Sequence, residues 1–154
     1  MTAPLVLVVN GPNLDTLGTR QPEIYGSTTL AQLEDALRSR GKDLGLAVTF
    51  FQSNDEDALV AAVADAPAKG AAAILINPAA FTHFSYALRD ALAATGLPVV
   101  EVHISNIHAR EPFRRLSLVS GVAKGVIAGL GVAGYGLALE AIAGIVGAPH
   151  NGDV

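Results

Sequence analysis

The residues best suited to chemistry in this sequence fall into three groups. The first is Glu101-Val102-His103, set inside an apolar run with the character of a strand. Positions two apart share one face of a strand, so the carboxylate stands beside the imidazole. Such a partner holds the ring in one tautomer and favours its charged form, as a proton donor requires. A Glu–His pair in a strand also serves structural ends, and the spacing leaves both uses open. The second group lies in residues 11–27, GPNLDTLGTRQPEIYGS. An ordinary strand-to-helix loop has roughly 2–6 residues. This one is far longer, has glycine and proline at both ends, and carries Arg20 and Tyr25. A cation and a phenol on a long hinged loop read as an active-site lid. The alternative is a surface Ω-loop that its tyrosine packs down. The third group is polar residues placed just after apolar runs: Asn10 and Asn13, Asn77 and His83, and Ser105-Asn106.

The elements that must position these groups are legible in the spacing. Five apolar runs, 5–10, 46–52, 73–77, 98–103 and 125–129, read as strands buried on both faces. Between them, 29–44, 57–66, 85–95 and 135–146 repeat apolar residues at helical intervals, with Thr29 as a cap and Gly41, Gly45 and Gly96 near the ends. Strands alternating with helices predict an α/β fold with a parallel sheet covered on both sides. Five units in about 150 residues suit a flavodoxin-like three-layer sandwich of strand order 2-1-3-4-5, whose ligands sit beyond the carboxyl ends of the strands. The three polar groups fall around that crevice. Residues 1–147 are expected to form one domain, with 148–154 a flexible tail.

Composition narrows the partners. With 51% hydrophobic and 16% charged residues, this is a folding chain. A mean hydropathy of +0.42 is high, yet every apolar run is cut well short of a membrane span. The surplus apolar surface therefore points to a homo-oligomer. A net charge of −4 without a basic run speaks against nucleic acid. The absence of cysteine excludes disulfides and thiolate metal sites and fits a cytoplasmic protein, as does a start without a signal-peptide pattern. His103 and His108 are five apart, not the i, i+4 helical pair of a zinc site. A flavin site calls for a short phosphate loop and flanking aromatics, and a receiver domain for acidic residues where Asn10 and Asn77 stand.

The polar blocks also carry a resemblance. Asn10-Gly11-Pro12-Asn13-Leu14, Leu17-Gly18, Arg20 and Pro22 through Tyr25-Gly26 resemble the N-terminal signature of the type II 3-dehydroquinate dehydratases. The likeness continues through Gln52-Ser53-Asn54, Asn77-Pro78, Thr82-His83, residues 101–106, residues 109–114, Gly125-Val126-Ile127, Gly129 and Gly134-Tyr135, in order along nearly the whole chain. It implies a cofactor-free and metal-free anti elimination of water from 3-dehydroquinate, giving 3-dehydroshikimate through an enolate. The reaction serves the shikimate pathway and aromatic amino acid biosynthesis, or quinate breakdown. By resemblance Tyr25 is the general base, Arg20 its activating cation and Asn13 the group that stabilises the enolate oxygen. A phenol ordinarily keeps its proton to pH about 10, so a phenolate near neutrality needs about 4 kcal/mol of favourable electrostatics.

By the same resemblance His103 is the general acid, oriented by Glu101. Ile104 and Ser105 cradle the substrate carboxylate, Asn77 holds the leaving hydroxyl, and His83 and Arg114 bind the other hydroxyls. Asp90 reaches a neighbouring subunit's site in a dodecamer built from trimers. Arg110 is read as lid or interface support, with a plain surface salt bridge an equal alternative. Ala79 and Phe81 stand where the family usually has Gly and Tyr, and Asp55 where His is frequent.

Overall fold

A computed structural model describes residues 2–148. The strands β1 (Leu5–Asn10), β2 (Ala47–Gln52), β3 (Ala71–Asn77), β4 (Val99–His103) and β5 (Gly125–Ala128) form one sheet of order β2-β1-β3-β4-β5. Every neighbouring pair is parallel, as the alternating pattern requires. The helices are α1 (Pro22–Tyr25), α2 (Leu30–Asp43), α3 (Glu56–Asp65), α4 (Tyr86–Thr95) and α5 (Ala133–Val146).

Alternation along each strand sorts the core into two layers. Val6, Val8, Leu75, Val100 and Val102 face α2 and α5, packing with Leu33, Leu37, Leu139 and Ile142. Val9, Ile74, Ile76 and Val99 face α3 and α4, packing with Leu59, Val63, Leu88 and Leu92. Full burial of a side chain of this size stabilises by roughly 1.5–3 kcal/mol, so the two layers fix the sheet that carries the polar strand ends. Central strands β1, β3 and β4 are the double-buried ones. The edge strands β2 and β5 differ from the sequence expectation, being only partly buried because each has a neighbour on one side.

Side-chain caps start the helices where spacing predicts. Thr29 and Gln32 form a reciprocal capping box on α2. Asp55 accepts from Ala58 N–H at the start of α3, and Ser85 from Leu88 N–H at the start of α4. The cap gives the departure at Asp55 a local reason. At the other end of the chain, Ala148 is buried and its N–H reaches the Ala143 carbonyl. Residues 149–154 of the expected tail lie outside the described ones.

Candidate active site

The carboxyl ends of β1, β3 and β4 open into a cavity of about 620 Å³. Gly11 makes the junction possible. A Cβ there would sit 2.3 Å from the Pro78 carbonyl oxygen, so only glycine lets the turn after β1 lie against the turn after β3. Gln52, the last residue of β2, and Asn54 just beyond it secure that turn. Gln52 donates to the Gly11 carbonyl, and Asn54 Oδ1 accepts from Asn13 N–H at 2.9 Å. Asn13 itself sits at φ 69, a conformation that asparagine tolerates better than most residues.

The long loop after β1 is anchored at its base and exposed toward its tip. Leu14 and Leu17 are buried in the core, whereas Arg20 through Ile24 are exposed and Tyr25 is half-buried on the short helix α1. The segment is thus partly helical, with a 3₁₀ turn at Leu14–Thr16 before α1. Tyr25 and Arg20 both line the cavity. The cation on the phenol, however, is Arg110. Its Nη1 donates to Tyr25 Oη at 2.9 Å, and its guanidinium lies 5.6 Å from the ring centroid. Arg110 also reaches Ser105 Oγ at 3.4 Å and lies 3.9 Å from Glu111. This largely buried contact with the loop agrees with the reading of Arg110 as lid support and not with that of a plain surface salt bridge. Arg20 faces the same cavity without a side-chain partner among the described residues.

From the sheet, β4 delivers His103, which is 4% exposed, with Glu101 wholly buried beside it. His103 Nε2 is hydrogen bonded to Glu101 Oε2, leaving Nδ1 as the free ring nitrogen. Burial of Glu101 disfavours its charge, but the hydrogen bond from His103 together with those from Ser120 and Ser117 outweighs it and lowers the carboxyl below its ordinary range. Ile104 and Ser105 follow directly on β4 and line the cavity.

Asn77 ends β3 and is held from behind by α5. Its Nδ2 donates to Tyr135 Oη at 2.9 Å, and Tyr135 donates in turn to Asn10 Oδ1 at 2.6 Å. Complete burial pushes the Tyr135 phenol far above its ordinary value, so it stays a neutral donor. Asn77 Oδ1 accepts from Ala79 N–H, which settles the orientation of the amide. Ala79 adopts φ 53, a left-handed conformation that strains any residue with a Cβ. Ala79→Gly is therefore expected to raise stability by about 0.5–1 kcal/mol after the greater unfolded-state entropy of glycine is subtracted. Chemical denaturation measures it, and a loss would mean that the packing of the Ala79 methyl against the core outweighs the strain.

His83 and Arg114 complete the rim. His83 Nδ1 donates to the Leu116 carbonyl at 2.7 Å, which fixes its tautomer, since a carbonyl only accepts. Arg114 is held by Glu111 at 2.7 Å and stacks on Phe113. The bond from Arg114 holds the Glu111 carboxyl below its ordinary range. Of the residues singled out in the sequence, Asn13, Arg20, Tyr25, Asn77, His83, His103, Ile104, Ser105 and Arg114 line one cavity. Asp90 does not. It lies exposed on α4, paired with Arg89 at 2.9 Å. Arg110 and Glu111 are the cavity residues that spacing undervalued or missed. Among the described residues no group of three or more metal-binding side chains is found, and no helix is long and apolar enough to cross a membrane.

A cavity lined by Tyr25 and His103, each held by its own partner, opens at the carboxyl end of a flavodoxin-like sheet. A family model described as class II dehydroquinase matches residues 4–143. The chain is 60% identical over 140 residues to 3-dehydroquinate dehydratase 2 of Corynebacterium efficiens, covering 90% of this chain and 96% of that protein. It is 56% identical over 136 residues to the 3-dehydroquinate dehydratase of Marinobacter nauticus, covering 88% and 93%. The crystal structure of type II dehydroquinase from Propionibacterium acnes superposes with a TM-score of 0.89 at 45% identity, covering 93% of this chain and 98% of that one. The chain belongs to the class II dehydroquinase family.

Proposed function

We infer that this chain is a hydro-lyase that removes water from 3-dehydroquinate to give 3-dehydroshikimate, a step of the shikimate pathway. The observation that carries the mechanism is the Arg110 guanidinium bonded to the Tyr25 hydroxyl in the same cavity as the Glu101-backed His103. A charged donor on a phenol oxygen stabilises negative charge there. Tyr25 takes a proton from the carbon beside the ketone, and Arg110 and Arg20 offset the phenolate. The electron pair moves onto the ketone oxygen, where Asn13 stabilises the enolate. As the enolate collapses, the hydroxyl on the next carbon leaves with a proton from His103 and departs as water. The ketone itself serves as electron sink.

Substrate binding uses the rest of the cavity. The backbone amides at Ile104 and Ser105, with the Ser105 hydroxyl, meet the carboxylate. Asn77 holds the leaving hydroxyl, and His83 and Arg114 hold the other hydroxyls. The finer reading of a dodecamer built from trimers, with Asp90 reaching a neighbour's site, draws support from exposed Phe84, Tyr86 and Leu116. A cytoplasmic setting draws support from the absence of cysteine.

The test is direct. Purified protein mixed with 3-dehydroquinate, without added metal or nucleotide, is expected to produce the near-ultraviolet absorbance of a conjugated enone. A flat trace from folded protein would overturn the assignment.

A further inference from the structure

The Glu101 carboxylate has two donors besides His103, both from the segment that leads into β5. Ser117 Oγ lies 2.8 Å from Glu101 Oε2, and Ser120 Oγ lies 2.6 Å from Oε1. Ser117 Oγ already accepts from the N–H groups of Val119 and Ser120. A hydroxyl has one proton and two acceptor sites, so that of Ser117 points at Glu101. Among the described residues the Ser120 hydroxyl bonds to Glu101 alone. Both carboxylate oxygens are thus engaged by donors, as a wholly buried charge requires.

His103 gives this arrangement a chemical use. Its Nε2 proton is committed to Glu101, so donation from Nδ1 requires the doubly protonated ring. An unshared carboxylate grips that cation strongly and makes it a reluctant acid, whereas a carboxylate shared with two hydroxyls grips it less. We propose that Ser117 and Ser120 are positioning residues for the reaction, holding Glu101 ionised and dividing its charge so that His103 releases its Nδ1 proton to the leaving hydroxyl. This rests on the reading of His103 as the acid.

The surroundings leave few other groups to set that balance. At the register of Glu101 the sheet neighbours are apolar, Ile76 on β3 and Val126 on β5. His103 is the titratable partner on β4 itself. The charged and titratable groups on the cavity side are Arg20, Tyr25, His83, Arg110, Glu111 and Arg114, and none of them bonds to Glu101.

The experiment compares the full-length wild type with Ser120→Ala, Ser117→Ala and Ser120→Thr. Steady-state dehydration of 3-dehydroquinate is followed across pH. In parallel, the rate at which diethyl pyrocarbonate modifies His103 is followed across pH by mass spectrometry of its peptide, which needs no turnover. Ser120→Ala is expected to lower kcat about tenfold with KM little changed, and to move both the alkaline limb of kcat and the His103 modification midpoint upward by about one pH unit. Ser120→Thr restores the hydroxyl and should restore both. If Ser120→Ala does not fold, Ser120→Cys keeps the volume with a weaker donor and should move both in the same direction by less.

A folded Ser120→Ala with unchanged midpoint overturns the proposal, whether or not kcat falls. A shifted midpoint with unchanged turnover overturns it as well, by showing that His103 is not the acid. An inactive wild type would remove the functional reading instead, while the modification midpoint still reports whether the serines govern Glu101 and His103.

Discussion

Replacing Tyr25 with phenylalanine is expected to lower kcat by about three orders of magnitude while leaving thermal stability nearly unchanged. The catalytic loss follows from removing the base, since a positioned proton acceptor contributes typically about 10²–10⁴-fold. The small effect on stability follows from where the residue sits. Tyr25 is half-buried on a short helix at the exposed end of the loop, and its hydroxyl contributes one hydrogen bond, from Arg110. Such a bond contributes about 1 kcal/mol net, and the phenylalanine ring keeps its packing under the guanidinium. Steady-state kinetics and thermal unfolding of the same preparation separate the two effects. Retained turnover would remove Tyr25 from the chemistry, and a loss of several kcal/mol would return it to the role of a packed loop residue.

Arg110→Ala should lower kcat by about 10²–10³-fold with a much smaller change in KM, because its charge matters most when the phenol has lost its proton. The distance decides why this arginine comes first. Arg110 already donates to the Tyr25 oxygen, whereas Arg20 lines the cavity without engaging it. Arg20→Ala, measured in parallel, is expected to show the same signature if the loop brings Arg20 onto the phenolate or enolate when substrate binds. Arg110→Lys keeps the charge, but its ammonium does not place a donor where Nη1 meets both Tyr25 and Ser105, so it should restore only part of the rate. A rise in KM at constant kcat would make Arg110 a ground-state binding group instead.

The fold was legible from the chain because its signals are local. Apolar runs, the Thr29 cap and helical spacing each depend on a few consecutive residues, and all three agree with one architecture. Glu101 and His103 were legible for the same reason, being two apart on one strand. Arg110 and Tyr25 are 85 positions apart, and their meeting depends on the paths of two irregular segments that no periodicity describes. Ser117 and Ser120 lie 16 and 19 positions from Glu101 in another irregular segment, so their bonds to it carry no signal in the spacing. Tyr135 read as part of a helix, and nothing in its spacing announced that its hydroxyl lies between two strand ends.

That last placement bears on how the protein comes into being. Asn10, Asn77 and Tyr135 belong to the first strand, the third strand and the final helix, and the phenol is the wedge that holds the two amides in register. A nascent chain that has emerged through β4 already contains Asn77 and His103, yet it lacks the phenol to which Asn77 Nδ2 donates. The hydrogen bonds that hold these two strand ends are therefore completed only when the last helix, α5, docks on the sheet.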